Sequence, residues 1–237
     1  MSQSAGRLYL FPVPMGDVSP SEVLPARNIE LLRGIRCFVV ENVRSARRFL
    51  RRAVPDFPID ECSFTELSEH TPSSDVAAML APALAGTDMG VVSEAGCPAV
   101  ADPGSELVAA AHHAGVEVVP LVGPSSILLS LMASGFNGQN FEFHGYLPIE
   151  GEERRRTLQR LERDVRATGR THIFIETPYR NARLLEELTR VLAPDTLVCV
   201  ASDITGPGER ICTLPAGEWK KRGGAPGKVP AIYLIGR

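Results

Sequence analysis

Glu41 and Arg44 follow directly on the apolar run Cys37 to Val40, which places a carboxylate and a guanidinium at the end of a buried strand. There they could accept a proton and hold an anion. A capping Glu beside a surface Arg accounts for the same pair. Three further stretches read as ligand loops. Pro12-Val13-Pro14-Met15-Gly16-Asp17 follows the strand that begins at Leu8, and Ser93-Glu94-Ala95-Gly96-Cys97-Pro98 follows Val91-Val92. Gly123-Pro124-Ser125-Ser126 follows Val116 to Leu121. In open α/β sheets ligands sit outside the carboxyl ends of strands, where glycine lets backbone approach them closely.

None of the three loops carries a Lys or Arg through Gly104 and Ser126. A polyphosphate would normally want one, whereas a ligand with its own positive charge would not. Backbone groups, small hydroxyls and carboxylates can hold an amino acid, a ribose and a sulfonium. The common alternatives lack their motifs. No Gly-x-x-x-x-Gly-Lys followed by Ser or Thr occurs, no Gly-x-Gly-x-x-Gly follows a strand, and no Gly-x-Ser-x-Gly is present. His70, His112, His113, His144 and His172 form no His-x-x-x-His pattern, and no metal is expected; His112-His113 reads as a helix surface pair.

The elements that must position these residues alternate. Helices are expected from Ser19-Pro20 to Gly34, from Arg44 to Arg52, over Asp75 to Leu84 and from Ala101-Asp102 to Ala114, between strands at Leu8, Cys37 to Val40, Val91-Val92 and Val116 to Leu121. A short strand at Cys62 to Phe64 interrupts the proline- and acid-rich connection Pro55 to Ser74. Alternation of this kind implies parallel strands with right-handed crossovers, so residues 1–120 are read as one α/β domain. From 121 to 237 helices are expected at Ser125 to Ala133, Glu150 to Ala167 and Asn181 to Leu192. Strands are expected at Phe141 to Leu147, Thr171 to Glu176, Leu197 to Ser202, Glu209 to Leu214 and Ala231 to Ile235, with Trp219 in a turn. That texture suggests a mixed sheet and a second α+β domain.

At 237 residues with 44% hydrophobic side chains the chain can build such cores. A net charge of -3 argues against a wholesale polyanion binder. Its placement is uneven: no Lys or Arg lies between Ala53 and Glu153, while arginines cluster at Arg44 to Arg52 and Arg154 to Arg170. Solvated helix faces and an anionic-substrate face both fit. Five widely spaced cysteines without a Cys-x-x-Cys pair, and a short polar start at Met1 to Arg7, lead to the expectation of a reduced cytoplasmic protein. The apolar Val116 to Ala133 is interrupted by prolines, glycine and serines, so no membrane span is expected.

Taken in order, Pro12 to Asp17, Glu41-Asn42-Val43-Arg44, Ser93 to Pro98 with Asp102-Pro103-Gly104, and Gly123 to Ser126 resemble the tetrapyrrole (corrin/porphyrin) methylase superfamily. The likeness extends through Gly145-Tyr146-Leu147-Pro148 and Ile175-Glu176-Thr177-Pro178-Tyr179-Arg180 and is nearest to its ribosomal RNA small-subunit methyltransferase I branch. The resemblance implies two α/β domains with S-adenosylmethionine in the cleft between them, and a homodimer. It further implies that Pro14, Ser93, Glu94, Ala95, Ser125 and Ser126 line the cofactor from the first domain's loops. Glu176, Ala201, Pro230 and Ala231 would line it from the second domain. On the acceptor side the candidates are Glu41, Arg44, Glu176 and Arg180, which could equally form structural ion pairs. Three features depart from the branch: Ser202-Asp203 replaces Arg-Glu, the middle of Glu-Asp-Thr-Arg is Asn42-Val43, and the chain stops at Arg237 without an extra helical segment. Three readings follow: a ribose methyltransferase of ribosomal RNA, a methylase of a tetrapyrrole or other small molecule, and a non-catalytic cofactor-binding module.

Overall fold

The computed structural model describes residues 4–68 and 70–237; residues 1–3, part of the polar start considered above, and Glu69 lie outside the described residues. Two compact units divide between Ser125 and Ser126. In the first, β1 (Arg7–Phe11) leads to α1 (Pro20–Val23) and α2 (Ala26–Leu32), then β2 (Cys37–Val40), α3 (Val43–Ala53) and β3 (Ser63–Glu66). The chain continues through α4 (Ser73–Val76), α5 (Ala81–Leu84), β4 (Met89–Val92), α6 (Ser105–His113) and β5 (Glu117–Pro120). All five strands are parallel, in the order β3-β2-β4-β1-β5. Both faces are covered: Phe38 and Val40 point into a core with Phe11, Leu32, Phe49 and Leu50, and Val39 between them points into another with Leu8, Leu80 and Leu107. That alternation follows from the two-residue pleat of a strand.

The second unit runs α7 (Ser126–Ser134), β6 (Phe141–Tyr146), α8 (Gly151–Thr168), β7 (Thr171–Glu176) and α9 (Asn181–Val191). It closes with β8 (Leu197–Ser202), β9 (Arg210–Pro215), α10 (Ala216–Arg222) and β10 (Ala231–Gly236). Its sheet is mixed, in the order β6-β7-β10-β8-β9, with β6 and β7 parallel and the remaining pairs antiparallel. The expected pairing of a parallel α/β sheet with a mixed one is what forms.

Prolines account for two departures from the helices expected. The helix expected to run from Pro20 to Gly34 is broken in two, because Leu24 before Pro25 is extended at φ -110°, ψ 138°. Asp75 to Leu84 likewise divides into α4, a tight turn over Ala77–Leu80 and α5, which carries Pro82 at its start. Trp219 lies in α10, not in a turn; it is buried and its indole N–H donates to the Val198 carbonyl at 2.9 Å. His112 and His113 are both exposed on α6. Among the described residues no helix is long and apolar enough to cross a membrane.

One buried ion pair locks α8 to α9. Arg154 Nε and Nη2 lie 2.8 and 2.6 Å from Glu187 Oε2, both residues are at most 5% exposed, and Arg154 Nη1 also donates to the Pro148 and Ile149 carbonyls. Removing one partner strands a buried charge, at a cost of about 3–5 kcal/mol. Glu187→Ala is therefore expected to lower the urea-unfolding free energy of the second unit by about that amount. Replacing both partners with Arg154→Met and Glu187→Leu should recover most of the loss; a double variant as unstable as the single one would contradict this account.

Candidate functional site

The carboxyl ends of β1, β2 and β4 bring three of the predicted stretches together. Beyond β1, Val13 N–H donates to the Gly96 carbonyl at 2.9 Å and Gly96 N–H donates back to Val13 at 3.1 Å, joining the loops after β1 and β4. The loop after β5 is pressed against the first of these. A Cβ built on Gly123 would lie 2.2 Å from Pro12 Cβ, so only glycine fits. Cys97 Sγ also donates to the Pro124 carbonyl at 3.3 Å.

Pairing of β2 with β4 brings Glu41 beside Glu94, whose N–H donates to Glu41 Oε2 at 3.2 Å. Asn42 caps α3 by accepting from Ser45 N–H at 3.0 Å, and the Ser45 hydroxyl donates to Glu94 Oε1 at 3.0 Å. The helix cap thus also orients a loop carboxylate. Asp102 feels the same charges: burial first, then Glu41 and Glu94, push its carboxyl up to about 6. Ala99 and Ala101 flank it in the left-handed region at φ 64° and 62°. Such backbone costs about 1–3 kcal/mol per residue and concentrates at functional sites.

Ser93 tests whether these residues suit the ligand expected. It is 7% exposed at the end of β4, and its Oγ has no hydrogen-bond partner among the described residues. A buried hydroxyl in that state is completed by a ligand or water. Ser93 and Glu94 line a cavity of about 430 Å³ with Pro14, Met15, Asp17 and Phe49, and Arg48 and Arg52 of α3 also line it, Arg52 paired with Asp17. Three neighbouring carboxylates, of which burial and the other two raise the proton affinity of Asp102, a buried hydroxyl with no hydrogen-bond partner among the described residues, and glycine-spaced backbone suit a ligand bearing a cationic centre and hydrogen-bonding arms. S-adenosylmethionine has both.

Glu41 and Arg44 part company. Arg44 is exposed on α3 and lines a groove of about 770 Å³ with Arg47, Arg48, Arg51 and Arg52, whereas Glu41 joins the acid cluster. Two of these arginines have local partners: Arg52 Nη1 is 3.0 Å from Asp17, and Arg47 Nη2 is 3.7 Å from Asp60.

In the second unit the strand ends assemble the remaining candidates. Ala231 lies opposite Glu176 on one side and Ser202 on the other, with Pro230 just before it and Ala201 opposite Ile232. Glu176 Oε1 accepts from Arg180 Nε at 2.8 Å and from Thr177 N–H at 2.7 Å, so Glu176 and Arg180 form a local ion pair. Asn181 was missed from the sequence. Its buried amide donates to the Gly227 and Val229 carbonyls at 3.0 and 2.8 Å and its Oδ1 accepts from the Tyr233 hydroxyl at 3.1 Å, fixing the approach to Pro230. Burial, with Glu176 adding, raises the Tyr233 phenol above its ordinary value and keeps it a donor. Asp203 is occupied in a turn: at φ 49° it accepts from Gly208 N–H at 2.8 Å, and a Cβ on Gly206 would strike its Oδ1. Ser125 ends the first unit, and Ser126 opens α7.

Asp102 sets a pH-dependent expectation. Its folded pKa lies above the ordinary carboxylate value, so ionising it costs stability as pH rises from about 4 to about 6. Asp102→Asn is expected to melt above the wild type at pH 7.5, with the difference shrinking as the pH is lowered to 4.5. A difference in Tm that is the same at both pH values would refute the assignment.

Residues 7–219 match the tetrapyrrole (corrin/porphyrin) methylases. The chain is 32% identical over 215 residues to a ribosomal RNA small subunit methyltransferase I of Escherichia coli O157:H7, covering 91% of this chain and 71% of that protein. It is 31% identical over 211 residues to the protein of the same name from Vibrio cholerae, covering 89% and 69%. In fold it is similar to a uroporphyrin-III C-methyltransferase of Thermus thermophilus crystallised with S-adenosylhomocysteine, at TM-score 0.56 and 19% identity over 98% of each chain. A match of this extent, on a fold whose strand ends carry the expected loops, settles the family: the chain belongs to the tetrapyrrole (corrin/porphyrin) methylases and is an S-adenosylmethionine-dependent methyltransferase.

Proposed function

We propose that this enzyme methylates a ribose 2′-hydroxyl of ribosomal RNA. The observation that carries the reading is the arginine groove along α3, in the same unit as the acid cluster at the strand ends. A row of guanidiniums is what neutralising successive phosphodiesters requires. The names of the relatives above support the same class of acceptor.

On this reading Ser93 Oγ, the backbone of Glu94 and Ala95 and the Pro14 loop hold the cofactor from the first unit, with Ser125 and Ser126 after the third loop. Glu176, Ala201, Pro230 and Ala231 do so from the second. S-adenosylmethionine supplies a methyl group on a sulfonium, already activated for in-line displacement. The protein's task is alignment and proton removal, and alignment supplies much of the rate. Asp102 takes the single hydroxyl proton, with Glu41 beside it raising its proton affinity, and a carboxylate titrating at about 6 is a competent base near neutral pH. Arg44 holds a phosphate beside the target ribose. Glu176, held by Arg180 and Thr177, orients its ligand. A homodimer belongs to the same proposal, supported by exposed apolar side chains at Met132, Tyr146 and Ile149.

Methyl-labelled cofactor incubated with small ribosomal subunits, total RNA and a small-molecule extract tests the acceptor. Label is expected in a ribose of small-subunit RNA. Label confined to small molecules would move the acceptor to a tetrapyrrole or similar compound, and cofactor binding without any transfer would leave a non-catalytic module. Ser93→Ala is expected to weaken cofactor binding roughly threefold to tenfold by calorimetry, the worth of one neutral hydrogen bond. For RNA, Arg51→Ala should reduce the slope of log affinity against log salt by about one phosphate contact. An unchanged slope would remove the groove from the RNA path.

A further inference from the structure

The parallel pairing of β6 with β7 creates a cluster that no sequence spacing announces. Glu142 lies opposite His172, and His144, two residues on from Glu142, shares its face of the sheet. His144 Nε2 and His172 Nδ1 are 2.9 Å apart, and His144 Nδ1 is 3.7 Å from Glu142 Oε1. Taking one ligand atom from each residue, Glu142, His144 and His172 offer three donors within 4.8 Å of one another. From α8, Asp164 Oδ2 comes within 3.0 Å of His172 Nε2, on the far side of that ring from His144. The two atoms are not aligned as a hydrogen bond, and both are buried with no hydrogen-bond partner among the described residues.

We propose that Glu142, His144 and His172 bind a divalent transition-metal cation of the zinc type, with Asp164 orienting His172 from behind. Two imidazole nitrogens and a carboxylate oxygen are the donor set zinc prefers when a fourth position stays open. Tetrahedral donors around zinc stand roughly 3.3 Å apart at its usual bond lengths. The two imidazoles, hydrogen-bonded nitrogen to nitrogen at 2.9 Å, give up the shared proton and tilt so that both lone pairs meet the ion, and Glu142, 45% exposed on the edge strand, has room to swing from beside His144 Nδ1 to the side of Nε2. The order carboxylate, imidazole, cation is the arrangement that fixes the tautomer of metal-bound histidines: with Nδ1 of His172 on the ion the proton sits on Nε2, 3.0 Å from Asp164 Oδ2, and a rotation of that carboxylate aligns the two as a hydrogen bond. His172 is 1% exposed, so its ring is already held by packing.

Arg170 is the local competitor. Its Nη1 sits 3.0 Å from Glu142 Oε2 and 3.5 Å from Asp164 Oδ2, partly neutralising both carboxylates. Cation binding leaves that guanidinium on the second oxygen of Glu142 and takes the first. The cluster lies wholly within the second unit and shares no residue with those assigned above to cofactor and acceptor. The bound ion would pin the edge strand β6 to β7 and α8.

Titration of the full-length, metal-free protein with zinc, followed by calorimetry, tests the site; substitution with cobalt gives its spectrum. One equivalent is expected, with visible cobalt bands and no thiolate charge-transfer band, which separates this site from the five free cysteines. Glu142→Gln and His144→Gln should abolish stoichiometric binding, while Asp164→Asn should weaken it roughly 10- to 100-fold. Zinc should raise the Tm of the wild type and leave that of His144→Gln unchanged. Circular dichroism of each variant checks that it is folded. Failure of the wild type to bind, binding that survives in folded Glu142→Gln and His144→Gln, or a cobalt spectrum dominated by thiolate would overturn the proposal.

Discussion

Two backbone hydrogen bonds between Val13 and Gly96 form an antiparallel bridge beyond the end of the parallel pairing of β1 and β4. Everything at the ligand end of the first unit depends on them. They close the loops after β1 and β4 on one another beside Ser93, which lines the cavity and whose hydroxyl has no hydrogen-bond partner among the described residues. Gly123 completes the arrangement by letting the loop after β5 rest against Pro12 where a methyl group would not fit. The backbone is held first, and the side chains inherit their positions.

The electrostatics at that end follow from a choice of residue types that the fold then concentrates. Glu41, Glu94 and Asp102 come from different segments and converge, Glu94 at the surface and Asp102 partly buried, so that burial first and then the charges of Glu41 and Glu94 bear on the Asp102 carboxyl. The proton affinity of Asp102 records the strain. A cationic ligand would relieve it, which links the absence of basic residues in the loops to the sulfonium cofactor. The arginines come from α3: Arg44, Arg47 and Arg51 line the groove along that helix, and Arg48 and Arg52 line both it and the cavity at Ser93 and Glu94, so acidic loops and a basic helix meet in one unit.

The second unit uses buried polar groups to the same end. Asn181 and Tyr233 are both buried and tie the chain before Pro230 to the start of α9, while Arg154 and Glu187 hold α9 against α8. Asn181, Tyr233 and Arg154 each donate to backbone carbonyls, and Glu187 accepts from Arg154. The strand ends bearing Glu176, Ala201 and Ala231 are thereby fixed by hydrogen bonds as well as by apolar packing.

What the sequence determined alone was periodic and local. Apolar runs and their spacing were enough for the ten strands' approximate places, for the parallel and mixed sheets, and for the loops at Pro14, Ser93 and Gly123, because those signals depend on neighbours along the chain. Helix continuity past Pro25 and Pro82 was misjudged, since the hydrophobic pattern persists where the backbone cannot follow. Trp219 was misplaced for the converse reason: its short helix is stabilised by burial of the indole and by its bond to Val198. Only the tertiary structure decided that Glu41 meets Glu94 and Asp102 while Arg44 turns away, that Asp203 is consumed by its own turn, and that Asn181 secures Pro230. The same holds for Glu142, His144 and His172, which are 30 residues apart at their extremes and become neighbours through strand register. Register and burial are properties of the folded chain, and side-chain chemistry that depends on them has no local pattern to read.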